Sequence, residues 1–229
     1  MQVTRDLTAL PFRFPVQLVL RPNHEFRGYA GQIVSGAVRA GDRITAWPSG
    51  RSARVSRIVS YDGELDYAFA PMSVTVTLDD ELDISRGDML TLEPPAVGTE
   101  LEADVVWMDE RPLDPGRVYL VKQSTKTVTA EIHHGLVLNQ IGTVNISTAR
   151  PLVFDRYTEN RATGSFIIID PATHFTAGAG MISNPLHHPV KPVNAPISAA
   201  ERLALLARHA GSDAEAVEAI RKALEELLS

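Results

Sequence analysis

The segment of residues 26–42 (FRGYAGQIVSGAVRAGD) constrains the fold more than any other part of the sequence. Glycines recur along it at Gly28, Gly31, Gly36 and Gly41. Glycine inside a strand marks a kink or a close approach of two backbones, and a glycine followed by aspartate is typical of a tight turn. We therefore predict a glycine-punctuated hairpin of a small β-barrel, followed by a strand at residues 43–47.

The rest of the first half of the chain supports a barrel. Apolar and polar residues alternate at residues 16–20 and 74–78, as in strands with one buried face. Turn-forming residues separate such runs at residues 21–23, 41–42, 48–50, 62–63 and 86–88. Several short strands at this spacing are typical of a small closed barrel.

A second β-rich unit is predicted after a linker at residues 93–98, whose paired prolines cannot continue a central strand. Its predicted strands are residues 101–108, 118–121, 127–133, 142–147 and 165–169, and residues 178–182 close the unit. Residues 166–169 (FIII) are apolar on both faces, which predicts a central strand.

The composition changes to helix-forming residues after the proline-rich residues 187–196. Capping-box patterns begin at Ser198 and Ser212, and they predict a helical hairpin. One face of its second helix carries an apolar stripe formed by Val217, Ile220, Leu224, Leu227 and Leu228. This stripe is a candidate surface for docking a partner, and the alternative is that it packs back on the chain itself.

The predicted fold class is all-β, with two small closed barrels followed by the helical hairpin. The predicted domains are residues 1–94 (first barrel), 97–183 (second barrel), 184–197 (linker) and 198–229 (helical hairpin).

Composition restricts the function classes. A net charge of -6 disfavours a nucleic-acid-binding protein, which needs a basic face. The sequence has no cysteine, and it shows neither an apolar signal segment nor a long apolar span. We therefore expect a cytoplasmic protein that does not associate with membranes.

No active site can be assigned from the residues. The sequence has no P-loop, so we predict no nucleotide-binding residue, and no Ser/His/Asp arrangement is recognisable. The adjacent histidines at residues 133–134 and 187–188 would point to opposite faces of a strand, which does not suit a metal site. We predict no catalytic residue, no metal and no cofactor, and whether the chain is an enzyme stays open.

Several segments resemble a known family. Residues 31–42 (GQIVSGAVRAGD) and 84–90 (ISRGDML) look like the second, β-barrel domain of elongation-factor-Tu-like GTPases. Residues 12–16 (FRFPV), 106–109 (VWMD), 159–166 (ENRATGSF) and 177–182 (AGAGMI) are more similar to one branch, the large GTPase subunit of sulfate adenylyltransferase. The resemblance extends over residues 10–182, in the order of that family's two C-terminal barrels.

This resemblance implies a two-subunit enzyme in which the small subunit makes adenylyl sulfate and GTP hydrolysis on the large subunit drives the reaction. The family's G domain has no counterpart among these residues, so we expect GTP hydrolysis to lie on another polypeptide. A loop that is longer in the family is reduced here to Gly135 between residues 131–134 and 136–142. The helical hairpin stands where some members carry a kinase.

Three hypotheses follow from this resemblance. The first is a non-catalytic binding or scaffold module of sulfate activation, whose partner is the adenylyltransferase small subunit or a separate G domain. The second is an RNA-binding module like those of translation factors. The third is a barrel that binds a small anion or nucleotide, with Arg86 and Arg161 as candidate contacts near a turn at residues 178–180.

Overall fold

The computed structural model describes residues 6–22 and 26–186. These residues contain fifteen strands and one short 3₁₀ helix, Leu7–Ala9. The first nine strands are β1 (Arg13–Leu20), β2 (Gly28–Gln32), β3 (Ala37–Arg39), β4 (Arg43–Trp47), β5 (Arg51–Ser60), β6 (Gly63–Leu65), β7 (Tyr67–Phe69), β8 (Ser73–Leu78) and β9 (Met89–Thr91). The other six are β10 (Ala96–Trp107), β11 (Val118–Gln123), β12 (Lys126–Ile132), β13 (Ile141–Phe154), β14 (Ser165–Ile169) and β15 (Thr176–Pro185).

The first barrel is a closed antiparallel ring. Its strand order is β4-β9-β1-β2-β8-β5, and pairing of β5 with β4 closes the ring. Strand β6 extends it beside β5, and β3 pairs with β7 as a separate ribbon. Closure leaves few free strand edges, which explains why a sheet of short strands is stable in water.

The predicted hairpin at residues 26–42 is wrong in its pairing. Strand β2 pairs with β1 and β8, whereas β3 leaves the barrel and pairs with β7. Gly36 causes this change of direction, since its φ of +70 lies in the left-handed region. Its N–H donates to the Leu7 carbonyl and its carbonyl accepts from Ala70, so its backbone groups bond outside β2.

The second barrel closes in the order β10-β13-β12-β11-β14-β15. Its strands alternate between buried and exposed residues, so one face of each fills the interior. The predicted central position of residues 166–169 is confirmed, because β14 pairs with both β11 and β15.

Two predicted boundaries shift by a few residues. Ala96, Val97 and Gly98 belong to β10, although they were assigned to the linker at residues 93–98, because they pair with the end of β13. Asn184 and Pro185 belong to β15, although the second linker was predicted to start at residue 184, because they pair with Glu102 and Leu101. Local proline signals mark these linkers, whereas long-range pairing sets where the strands end.

Each barrel has its own buried core, and a third apolar cluster consists of Trp47 and Met89 from the first barrel with Val97 and Val153 from the second. The described residues contain no helix long and apolar enough to cross a membrane. The predicted helical hairpin at residues 198–229 lies outside the described residues.

Candidate functional site

A buried ion pair joins the two barrels. Arg13, in β1, has a side chain that is only 3% exposed, and its Nε and Nη2 donate to the two carboxylate oxygens of Asp155, each at 2.9 Å. Its Nη1 donates to the carbonyls of Phe12 and Glu93. Planar guanidinium and carboxylate groups in this two-bond geometry form the strongest and most directional ion pairs in proteins. The pair therefore sets how the second barrel sits on the first.

Further side-chain hydrogen bonds continue this junction. The Thr163 hydroxyl donates to Asp155 at 2.7 Å, and the Asn160 amide donates to the Ser35 hydroxyl at 2.8 Å. The Ser35 hydroxyl in turn donates to the Pro11 carbonyl at 2.7 Å. Because these groups satisfy one another, the junction is a structural element that holds the surfaces of both barrels in a fixed relation.

The outer surface of the second barrel differs strongly between its two sides. On β12 and β13 six of the eight exposed positions are polar, namely Thr127, Thr129, Glu131, Thr143, Asn145 and Arg150, and the other two are Ala149 and Ile141, which begins β13. On the other four strands the outward positions that are half-buried include six apolar residues, which we call the outer apolar face: Val106, Leu120, Ile167, Ile169, Ala179 and Met181. A barrel whose whole outer surface met water would carry polar residues there, so this side has the composition of a contact surface.

Strand register brings part of this face into one row. Lys122 lies opposite Ile167, Ile167 opposite Ala179, and Ala179 opposite Val106. A cleft of about 650 Å³ lies over this row, and Tyr157, Arg161 and Ala162 contribute to its wall. Its volume falls within the range of ligand-binding clefts, about 300–1,000 Å³.

Two cations stand at the edge of the cleft. Lys122 and Arg161 are both exposed, and neither forms an ion pair with any residue in the described part of the chain. The Arg161 guanidinium lies 5.8 Å from the centre of the Tyr157 ring, a distance that allows a cation–π contact. Among the described residues no carboxylate lines the cleft, which makes it a basic region on a chain of net charge -6.

The two predicted anion contacts, Arg86 and Arg161, lie in different places. Arg161 lies beside the cleft, together with Gly180. Arg86 lies in the turn before β9, where its Nη1 donates to the Gln17 carbonyl at 2.7 Å, and it does not line this cleft. An anion contact at either arginine stays a prediction.

The predicted turn at residues 178–180 is wrong, because these residues lie inside β15. Their glycines serve packing instead: a Cβ on Gly180 would overlap the ring of Phe166, and one on Gly178 would approach the Val106 carbonyl to 2.9 Å. The glycines thus let an aromatic ring and a neighbouring backbone pack closely.

The other sequence candidates are placed as follows. The docking stripe at Val217, Ile220, Leu224, Leu227 and Leu228 lies outside the described residues. His133 shares a hydrogen bond of 2.6 Å with Ser147, which donates to Glu100. Residues 6–22 and 26–186 contain no group of three His, Cys, Asp or Glu side chains that converges on a metal position.

A second exposed apolar region lies at the end of the second barrel away from the junction. We call it the distal rim, formed by Met108, Val137, Leu138, Ile141 and Phe175. Phe175 is the most exposed of these, at 74%. The turn that carries Phe175 is closed on Asp170, whose carboxylate accepts from Ala172 and whose backbone N–H donates to the Phe175 carbonyl.

Hydrogen bonds hold the Asp170 carboxylate in its ionised form. It accepts from the N–H of Ala172 at 2.7 Å, from the N–H of Thr173 at 3.3 Å and from Nη2 of Arg117 at 2.9 Å. These bonds, with that from Ala172 the largest influence, hold the pKa of Asp170 below its ordinary value of 3.8, against the opposing effect of burial. Asp170 therefore stabilises the fold in its charged form.

Replacing Asp170 by asparagine is expected to lower the denaturation midpoint near neutral pH. Because the folded-state pKa is lowered, the wild-type advantage is complete above the ordinary value of 3.8 and is lost as the pH falls below it. Denaturant unfolding from about pH 7 to about pH 3 measures the difference in midpoint between the wild type and Asp170→Asn, and this difference should become smaller in acid. Asp62→Asn is the control, because the exposed Asp62 carboxylate makes no hydrogen bond within the described residues. A difference for Asp170→Asn that stays constant over this range would contradict the assignment.

Comparison with known proteins agrees with this architecture. A family model described as "GTP-eEF1A C-terminal domain-like" matches residues 133–183, which lie in the second barrel. Sulfate adenylyltransferase subunit 1 of Bacteroides thetaiotaomicron is 44% identical over 207 residues, covering 79% of this chain and 43% of that protein. The bifunctional enzyme NodQ of Rhizobium sp. (strain N33) is 46% identical over 202 residues, covering 80% of this chain and 31% of that protein.

Among solved structures, sup35 complexed with GDP matches 80% of this chain and 49% of that chain, with a TM-score of 0.70 and 16% sequence identity. At this identity the likeness establishes the fold alone. This chain spans less than half the length of the curated relatives named above.

Proposed function

We propose, for a chain similar to the C-terminal part of sulfate adenylyltransferase subunit 1, that its barrels form a non-catalytic binding module of sulfate activation. The module holds a separate partner, the adenylyltransferase small subunit or a G domain. Its own residues supply contact surface, and the partner supplies the chemistry.

The observation that carries this proposal is the extent of the similarity. The match to subunit 1 covers 79% of the chain, which is more than either barrel contains, so it extends over parts of both. The identity of 44% is far above the 16% shared with sup35, which has the same fold. Similarity at this level points to the sulfate-activating branch of the fold.

The described side chains suit binding better than group transfer. The buried charged side chains make structural contacts: Arg13 pairs with Asp155, and Asp170 pairs with the half-buried Arg117. The unpaired cations, Lys122 and Arg161, are exposed beside an apolar surface. Exposed apolar area edged with charge is the usual composition of a protein interface.

Deleting the gene in its native host is expected to lower the rate of adenylyl sulfate formation from ATP and sulfate in the cell lysate. Adding the purified chain back should restore the rate, whereas the purified chain alone should form no adenylyl sulfate and hydrolyse no GTP. A lysate rate unchanged by deletion would refute a role in sulfate activation. Turnover by the purified chain alone would refute a non-catalytic role.

A further inference from the structure

We infer that the outer apolar face, with Lys122 and Arg161 at its edge, is the docking surface of the module, and that its occupant is an acidic, amphipathic segment of the protein partner. This inference rests on the proposed function and names the surface through which it acts.

Outward-facing apolar residues are distributed unequally around the closed second barrel. Inward positions on every strand fill the core, so an outward apolar residue contributes nothing to the interior. Ile167 and Ile169 point outward on β14, yet β12 presents threonine and glutamate at its outward positions. Apolar outward residues that gather on one side of the barrel are explained by a partner that covers that side.

The charges around the outer apolar face favour an acidic occupant. Lys122 and Arg161 flank the apolar row without a carboxylate partner in the described chain. The outward carboxylates of β10 lie outside the lining of the cleft and accept hydrogen bonds from neutral groups: Glu100 from Ser147, Asp104 from Thr143 at 2.6 Å, and Glu102 from Ser183 and Asn184. Two free cations beside an apolar surface complement a segment that presents apolar side chains flanked by Asp or Glu.

The same features disfavour other occupants. Single-stranded RNA binds to basic grooves with several stacking aromatic rings, and within residues 6–22 and 26–186 Tyr157 is the only half-exposed aromatic side chain that lines the cleft. A small inorganic anion would pair with the cations but would leave Ile167 and Met181 uncovered. An acidic amphipathic segment satisfies both parts of the surface.

The first experiment measures binding of the full chain to the adenylyltransferase small subunit, and to the separate G domain, by biolayer interferometry. Ile167→Glu should weaken binding by about thirtyfold, because it places a carboxylate in the apolar centre of the interface. Lys122→Glu combined with Arg161→Glu should weaken binding at least about tenfold and reduce its salt dependence. These two residues are exposed, so the double variant tests the surface without disturbing the core.

Phe175→Glu is the matched control, because it puts the same charge on an exposed apolar residue of the same barrel, at the distal rim. Its affinity should equal that of the wild type. If the wild type binds, but the three substitutions on the face leave its affinity unchanged, the surface assignment is refuted and the proposed function stands. Loss of binding in Phe175→Glu with retention in Ile167→Glu would place the interface at the distal rim instead.

A second experiment decides the case in which neither partner binds. The chain has no cysteine, so Ala162→Cys beside the cleft accepts a single fluorescent label. A synthetic peptide with leucines on one face and flanking glutamates should change the label's emission in a saturable way, and the same peptide with lysines in place of glutamates should not. Equal responses to both peptides, or competition by oligo-uridine RNA or inorganic phosphate alone, would overturn the inference.

Discussion

Replacing Arg13 by alanine is expected to lower the free energy of unfolding by about 3–5 kcal/mol, the cost of breaking a buried ion pair from one side. The loss is large because Asp155 would stay charged and buried with only the Thr163 hydroxyl to replace two guanidinium bonds. The carbonyls of Phe12 and Glu93 would also lose their donor. Equilibrium denaturation followed by tryptophan fluorescence measures the change, since Trp47 lies in the cluster between the barrels.

Two variants separate this effect from a loss of charge in general. Arg13→Met combined with Asp155→Leu removes both charges together, and it should cost far less than Arg13→Ala because no buried charge is left alone. Arg57→Ala removes an exposed ion pair with Glu64 and should change stability by at most about 1 kcal/mol. Equal losses for Arg13→Ala and Arg57→Ala would mean that the junction does not depend on the ion pair.

Gly36→Ala is expected to be among the most destabilising single-methyl additions in the first barrel. A Cβ at residue 36 would lie 2.5 Å from the Cα and N of Phe12 and 2.8 Å from the Leu10 carbonyl, and backbone atoms cannot move aside as a side chain can. The φ of +70 adds the strain of a left-handed conformation. Thermal unfolding monitored by circular dichroism measures the loss.

Gly41→Ala, in the same glycine-rich segment, is the control for this prediction. Gly41 also has a positive φ, at +92, but a Cβ there would meet no atom within 4 Å. Its substitution should therefore cost the conformational strain alone, and Gly36→Ala should cost about 1–3 kcal/mol more, the usual penalty for overpacking. Equal losses at the two positions would show that the contact with Phe12 is not tight.

Local patterns in the sequence predicted the two barrels because strand alternation and turn residues are encoded within a few positions. The same patterns failed at residues 26–42, where the pairing of β3 with β7 depends on residues about thirty positions later and on the backbone contacts of Gly36. The linker bounds shifted for the same reason, since Ala96 is held by Phe154 from the far end of β13.

The candidate site was predictable only in part. Arg161 was singled out from the sequence and lies beside the cleft, whereas Lys122 was not, because its position opposite Ile167 depends on the register of two strands. The apolar character of residues 166–169 was visible in the sequence. Its outward members, Ile167 and Ile169, were the available signal for the outer apolar face. Alternation gave no such signal for Arg13, because it buries Phe12 and Phe14 and turns Arg13 to the opposite face, whose burial depends on Asp155 in the second barrel.

In this proposal the two barrels and their junction together form a module that binds a protein partner. The Arg13–Asp155 pair fixes the second barrel on the first, and the side of the second barrel formed by β10, β11, β14 and β15 carries the apolar residues that its interior does not use. The chemical step of sulfate activation is assigned in this proposal to the partner.

The most direct measurement of this account is a calorimetric titration of the full chain with the adenylyltransferase small subunit, and in parallel with the separate G domain. The account predicts saturable, one-to-one binding to one of them, with a dissociation constant of about 1 µM or tighter, as for interfaces of ordinary size. Absence of binding to both proteins up to about 100 µM, which corresponds to less than about 5.5 kcal/mol of binding free energy, would contradict it.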